Sequence, residues 1–303
     1  MIVYRELASI ERDLGFSAKT LYGLSNRLDK HYHTVLIPKR DGGQRSLSVP
    51  DLILTNVQRS ISDHILTQYP ISRYAKAYRT GSSVLHNALP HVGKKKLLKL
   101  DIEGFFDHIL YSTVKERVFT EGKFAEPIRV LLTMLCYYRE SLPQGAPTSP
   151  AITNIIMYDF DEAVGSFCAE RGIAYTRYCD DMTFSGDFDE GAVIAFVKNE
   201  LFRLGLFLKR SKTAVVHASR RQSVTGIVVN ERINIAREYQ RKLRQEMYYL
   251  QKFGLDEHLK RIGASDKRHY LLSLRGRVAY VLQVRPNDPE FVGYQRLLGE
   301  YAL

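Results

Sequence analysis

The stretch Ala174-Tyr175-Thr176-Arg177-Tyr178-Cys179-Asp180-Asp181-Met182-Thr183-Phe184-Ser185 decides how the rest of the chain is read. Side chains alternate over Ala174–Tyr178 and again over Met182–Ser185, a period of two that predicts two strands. Cys179-Asp180-Asp181 between them is a tight acidic turn, so the segment is a hairpin with two aspartates at its tip. Adjacent carboxylates lie within a few ångströms of one another, and like charges that close call for a cation. Acidic residues are also common in turns for local hydrogen-bonding reasons, so the pair alone leaves a plain exposed turn open. A third carboxylate shifts the balance. Leu97-Leu98-Lys99-Leu100-Asp101-Ile102 reads as a mostly buried strand ending in Asp101. If that strand lies beside the hairpin, three carboxylates meet on one sheet and can hold two Mg²⁺ roughly 4 Å apart, the arrangement that runs in-line phosphoryl displacement. Asp107 is a rival for Asp101, but it follows Phe105-Phe106 after the strand has ended and reads better as a helix-starting acid.

Outward from the hairpin, Ile152, Ile155, Ile156, Phe160, Val164, Phe167 and Cys168 keep helical spacing until Gly172 stops the helix. On the other side Val193, Phe196, Val197 and Leu204 mark a second amphipathic helix ending near Gly205. The order strand, helix, hairpin, helix fits an α+β sheet backed by helices on one face. The 303 residues are 45% hydrophobic and 25% charged, with 20 Gly and 10 Pro, which excludes disorder, collagen and coiled coil and suffices for one large or two modest domains. No apolar run approaches the roughly 18 to 20 residues that span a bilayer, and the N-terminus carries charges where a signal peptide needs an apolar core, so a soluble cytoplasmic protein is expected. Cys136, Cys168 and Cys179 form no CxxC pair, and the nine histidines show no HExxH spacing.

Lys plus Arg number 44 against 33 Asp plus Glu, a net +11 that points to a polyanionic partner. The surplus is uneven. Residues 1–100 carry 16 basic and 7 acidic side chains, 101–236 carry 15 and 18, and 237–303 carry 13 and 8. Basic ends can grip nucleic acid while the acidic middle keeps carboxylates for divalent metal.

These residues resemble a known family. Tyr178-Cys179-Asp180-Asp181 is similar to the YxDD box of reverse transcriptases, with Cys179 where Ala is usual. Asp101 within LKLDIEGFFDHI resembles their first catalytic aspartate motif, and Leu142-Pro143-Gln144-Gly145-Ala146-Pro147-Thr148-Ser149-Pro150 their LPQGxxxSP box. Asn87-Ala88-Leu89-Pro90-His91 and Val224-Thr225-Gly226 resemble the NAxxH and VTG motifs that mark bacterial retron reverse transcriptases. The resemblance implies a right-hand polymerase fold: an N-terminal region and fingers over 1–100, a palm over 101–236 with an inserted fingers segment at about 112–150, and a helical thumb over 237–303.

It also implies roles. Asp101, Asp180 and Asp181 are the expected catalytic residues, and together with Ile102 the expected binders of two Mg²⁺, for which Mn²⁺ can substitute. Gln144 offers an amide that can hold the incoming nucleotide. Phe106, five residues after Asp101, stands where related polymerases place an aromatic ring beneath the sugar, and Phe105 is the neighbouring candidate. Lys39 and Arg45 flank a Gly42-Gly43 turn that can fold over a triphosphate, and Lys212 corresponds to a lysine near the pyrophosphate leaving group. Arg79 is expected to support the template through phosphate. Asn87, His91, Tyr178, Thr225 and Gly226 are grouped with the RNA and template–primer contacts, Asn87 and His91 reading equally as structural groups. Arg241 and Lys242 lie in a segment that mixes cations with Tyr239, Tyr248, Tyr249 and Phe253 at helical intervals, so one face can pack while the other meets phosphates.

The resemblance further implies an RNA-directed DNA polymerase that binds its own structured noncoding RNA, starts from an RNA 2′-hydroxyl, and uses deoxynucleotides to make a branched RNA–DNA product (msDNA). A role in antiphage defence with a separate effector is implied too, because no toxin, nuclease or membrane domain fits in this chain. A group II intron or diversity-generating enzyme shares the catalytic boxes, but the chain has no room for a maturase domain plus appendages, and NALPH and VTG favour the retron type. An RNA-binding scaffold that controls an effector is the reading from a different class.

Overall fold

Alternating and apolar runs become nine strands in three sheets among residues 3–38 and 42–301, which the computed structural model describes. β1 (Tyr32–Pro38) and β2 (Gln44–Pro50) form a hairpin with Tyr32 opposite Pro50 and Pro38 opposite Gln44. β3 (Lys96–Asp101), β4 (Ala174–Tyr178), β5 (Asp181–Gly186) and β6 (Ala214–His217) make the central sheet in the order β4-β5-β3-β6. β7 (Ser223–Val224), β8 (Ile227–Val228) and β9 (Asn234–Ile235) form a small third sheet.

The chain divides into two compact units, Met1–Ser82 with Leu98–Val215, and Ser83–Leu97 with Val216–Leu303. Each has its own apolar core, the first including Leu100, Phe160 and Phe184 and the second Met247, Leu274 and Phe291. The expected division at residues 100 and 236 is one of function. Compactness partitions a chain by a different criterion and bears only on packing.

The hairpin β4–β5 forms where alternation places it, and a cross-strand aromatic pair pins its register: Tyr175 lies opposite Phe184 with ring centroids 4.9 Å apart. Asp181 differs from expectation, since it begins β5 opposite Tyr178 and leaves Cys179-Asp180 as a two-residue turn. The helix expected from Ile152 to Gly172 is two helices, Ser149–Ile156 and Tyr158–Ala169. Met157 between them has φ −83° and ψ 0°, and the bonds from its N–H to the Thr153 carbonyl and from the Asp161 N–H to its own carbonyl carry the ladder across. The apolar face therefore continues through the break, which is why spacing alone does not reveal it. Asp107 starts no helix: it lies in a turn, and the next helix begins at Tyr111.

The helix Tyr158–Ala169 packs on β4 and on the helix Glu190–Phe202, the latter contact centred on Phe167 and Phe196 stacked at 4.1 Å. It also delivers Asp161 to Arg177 of β4. Neither side chain has exposed surface, and the guanidinium bonds both carboxylate oxygens while the Tyr175 hydroxyl donates to one of them at 2.8 Å. Removing one partner of a buried pair leaves the other charge uncompensated. Asp161→Ala should therefore cost about 3–5 kcal/mol, read as a lower urea midpoint; a loss near the 0.5 kcal/mol of a surface change, about what a solvated residue gives, would contradict this account.

Candidate active site

A cavity of about 520 Å³ opens over the β4–β5 turn. Its floor is built by sheet order, because β3 lies beside β5 and so brings Asp101 to the two aspartates of the hairpin. The Ile102 N–H donates to the Asp180 carbonyl at 3.1 Å and the Lys209 N–H to the Asp101 carbonyl at 2.8 Å, so backbone bonds fix Asp101 between the turn and the 208–212 segment. Asp101 and Asp181 line the same cavity, near enough for each charge to act on the other. Burial, then the charge of Asp180 and the contact with Asp101, push Asp181 up to about 6, against the opposing pull of Lys212. Lys212 Nζ lies 2.5 Å from Asp101 Oδ2, and that bond holds its ammonium above its ordinary range. Asp180 lines the same cavity.

Carboxylates gathered on one cavity repel one another, and an added cation relieves that repulsion. Hard oxygen donors suit a divalent metal, so the residues present fit one. Among the described residues no three His, Cys, Asp or Glu side chains are already gathered as a cage, and Lys212 sits on one oxygen of Asp101. Ile102 buries its side chain, so any contribution it makes to a cation is through its backbone.

The walls come from distant segments. Gln144 lines the cavity beside Gln44, Arg45 and Ser46 of β2. Gly145 makes that possible: its N–H donates to the Ser48 carbonyl at 3.2 Å, and a Cβ there would meet the same oxygen at 2.5 Å. Ser149 Oγ donates to the Pro143 carbonyl at 2.7 Å, and the Leu142 N–H to the Phe106 carbonyl at 3.1 Å, tying the loop to the Phe105-Phe106 turn. The two rings now separate: Phe105 is 3% exposed and belongs to the core, whereas Phe106 is half-buried at the cavity. Tyr178 and Lys212 line the cavity as well. Lys39 lies outside the described residues. Arg79 is exposed, with Nη1 donating to the Ser72 carbonyl at 3.3 Å.

The remaining expected RNA-contacting residues belong to the second unit. Asn87 and His91 are buried there, as a structural role requires. Asn87 Nδ2 donates to Thr225 Oγ1 at 3.4 Å and Thr225 Oγ1 to the Val84 carbonyl at 3.3 Å, so the NAxxH and VTG segments, far apart in sequence, are hydrogen-bonded together. Gly226 has φ +87°, a backbone shape that suits glycine. Arg241 and Lys242 are exposed on the helix Arg237–Phe253, Lys242 pairing with Glu238 at 3.0 Å.

Sequence reasoning missed Tyr78, Lys209 and Arg177. Tyr78 lines the cavity and its hydroxyl contacts Cys179 Sγ at 3.4 Å; Lys209 also lines it. Arg177 had a visible signal, a cation two residues from Tyr175 and so on the same inward face of an otherwise apolar hairpin, where a buried charge needs a partner.

Residues 37–271 match the family described as "Reverse transcriptase (RNA-dependent DNA polymerase)". The chain is 30% identical over 319 residues to the retron Mx65 reverse transcriptase of Myxococcus xanthus, spanning 97% of this chain and 72% of that one. It is 30% identical over 279 residues to the retron Ec83 reverse transcriptase of Escherichia coli, spanning 87% and 86% of the two chains. The chain belongs to the retron reverse transcriptases. Its fold is accordingly the right-hand polymerase fold, its activity RNA-directed DNA synthesis, and its family chemistry depends on divalent metal. The retron Ec86 reverse transcriptase of Escherichia coli is similar too, 29% identical over 255 residues and spanning 82% of this chain and 79% of that one. Among the described residues no helix of this retron reverse transcriptase is long and apolar enough to cross a membrane.

If the carboxylates of Asp101 and Asp181 hold a divalent ion, Mn²⁺ should raise the melting temperature of the protein, because a ligand that binds only the folded state stabilises it. Asp101→Asn and Asp181→Asn should each shrink that rise, read by thermal denaturation with and without Mn²⁺. An equal rise in both variants would place the ion elsewhere.

Proposed function

We propose that this retron reverse transcriptase copies part of a cognate structured noncoding RNA into DNA in the cavity over the β4–β5 turn, with Asp101, Asp180 and Asp181 as its catalytic carboxylates. The observation that carries the reading is the gathering of Asp101, Asp180 and Asp181 on the floor of a cavity whose walls include Gln144, Arg45 and Phe106. In nucleotidyl transfer a primer hydroxyl attacks the α-phosphorus of a deoxynucleotide and pyrophosphate leaves. Two Mg²⁺ held by these carboxylates would favour the ionised hydroxyl and neutralise charge on the leaving group. Arg45 offers a cation to the triphosphate, Lys39 is assigned the same task, and Lys212 presents an ammonium on the Asp101 side. Gln144, its loop fixed by Gly145 and Ser149, offers a positioned amide to the nucleotide. Phe106 supplies a ring against which a 2′-hydroxyl would collide.

The division into fingers, palm and thumb at residues 100 and 236 belongs to this proposal, as do phosphate contacts by Arg79, Arg241 and Lys242, template–primer contact by Tyr178, and a supporting role in RNA binding for Asn87, His91, Thr225 and Gly226. Kinship with retron reverse transcriptases supports the finer expectations: priming from an RNA 2′-hydroxyl, a branched msDNA product, action in the cytoplasm, and antiphage defence through a separate effector.

Asp180→Asn keeps shape and removes charge, so DNA synthesis should fall to background while the melting temperature holds. Near-normal extension of a primer on an RNA template would refute the assignment. Phe106→Ala should admit ribonucleotides far more readily by removing a clash, and an unchanged preference for dNTP over rNTP in competition assays would reject Phe106 as the gate.

A further inference from the structure

Arg177 is the bulkiest of the fully buried side chains among the described residues, and it does more than pair with Asp161. Its Nε donates to Asp161 Oδ1 and Oδ2 at 2.9 and 3.1 Å, and its Nη2 to Asp161 Oδ2 and Asn154 Oδ1 at 2.6 and 3.1 Å. The remaining arm leaves this cluster. Nη1 donates to the Cys179 carbonyl at 2.9 Å, the oxygen of the peptide that links Cys179 to Asp180.

That peptide follows a residue in an unfavourable shape. Cys179 has φ +61°, sparsely populated for a residue with a side chain, and such a conformation persists only where the surroundings over-determine it. The surroundings here are specific. A charged donor in a dry interior makes a strong bond to a carbonyl, and Arg177 is itself anchored through its backbone: its N–H donates to the Tyr74 carbonyl at 2.9 Å and its carbonyl accepts from the Lys76 N–H at 2.8 Å. Tyr78, from the same 74–78 segment, reaches Cys179 from the side-chain direction. Burying an ion pair brings little net stability over an apolar pair of similar size. The bond to the turn is therefore what the pair supplies beyond packing, and the planar fork of arginine is suited to grip Asp161 and Cys179 at once, which a lysine ammonium is not.

We propose that Arg177, oriented by Asp161, is a positioning residue for DNA synthesis: it fixes the Cys179–Asp180 peptide and through it the directions of the Asp180 and Asp181 carboxylates. This rests on the reading of those two aspartates as catalytic. Arg177 touches no reacting atom, and its effect is transmitted through the turn.

The test uses the full chain with poly(rA)–oligo(dT), dTTP and Mg²⁺, and four proteins: wild type, Asp180→Asn, Arg177→Lys, and the triple variant Arg177→Met/Asp161→Leu/Tyr175→Phe. The triple variant removes the buried charges together and so should melt at or above the wild-type temperature. Both Arg177 variants should lose about 10- to 100-fold in kcat, the usual effect of removing a group that orients a metal ligand. KM for dTTP and affinity for poly(rA)–oligo(dT) should stay within about twofold, a split that general loosening would not produce. Wild-type kcat in a folded triple variant would overturn the proposal, as would a loss shared equally by kcat, KM and template affinity. If the triple variant shows no melting transition, Arg177→Lys decides on the same criteria. Asp180→Asn separates the two layers: if it still makes DNA, the underlying reading falls, whereas if it is inactive and the Arg177 variants synthesise normally, only the positioning role is lost.

Discussion

Three carboxylates converging on one cavity is the constraint to which the surrounding structure answers. Asp101, Asp180 and Asp181 act on one another's charge, and burial strengthens the repulsion by removing water. Arg45, Lys209 and Lys212 line the cavity and Arg177 bonds the turn, and two of these cations respond differently. Lys212 meets Asp101 directly. Arg177 has its charge balanced by Asp161, two buried residues away from solvent, so it can bond the turn without neutralising the site. The arrangement thus holds the backbone of the turn through a cation whose charge is already met by Asp161, so Arg177 draws off none of the attraction that the carboxylates offer a divalent ion.

The parts of this layout legible in the sequence are those governed by local periodicity. Alternation in 174–178 and 182–185 forecasts β4 and β5, and the apolar run ending in Asp101 forecasts β3. What periodicity cannot state is adjacency in the sheet, which was conditional until the order β4-β5-β3-β6 placed Asp101 beside Asp181. It also misses single-residue events. Met157 breaks a helix without moving its apolar face, and Asp181 joins β5 because the Tyr178 partner extends the ladder by one pair. Arg177 signals a buried charge but not its partner, which lies on a helix 16 residues upstream, and no spacing rule links the two.

Motif reading and physical reading also diverge at the NAxxH and VTG segments. As motifs they are separate marks. In the folded chain Asn87, Thr225 and the Val84 carbonyl form one hydrogen-bonded junction in the second unit. Thr225 has φ +46° and Gly226 follows at φ +87°, so a tight turn between β7 and β8 presents the threonine hydroxyl to the helix that carries Asn87. A partly buried polar junction of this kind specifies one geometry better than apolar contact, because a shift weakens the hydrogen bonds that hold it.

Gly145 extends the same logic to the cavity wall. Three segments far apart in sequence, the β2 strand, the Phe105-Phe106 turn and the 142–149 loop, meet through backbone bonds rather than through long side chains: Gly145 to Ser48 and Leu142 to Phe106. Backbone contacts of this length leave little freedom, and the absent Cβ at Gly145 is what permits them. Gln144 sits between these two anchors, so its backbone is held by both β2 and the turn that follows Asp101. The backbone that carries the Gln144 side chain is thereby referenced to the same strand that carries Asp101. If Gln144 and Phe106 hold the substrate as proposed, it is registered against Asp101 through a few rigid peptide units, and the precision needed for phosphoryl transfer is built into the backbone before any ligand arrives.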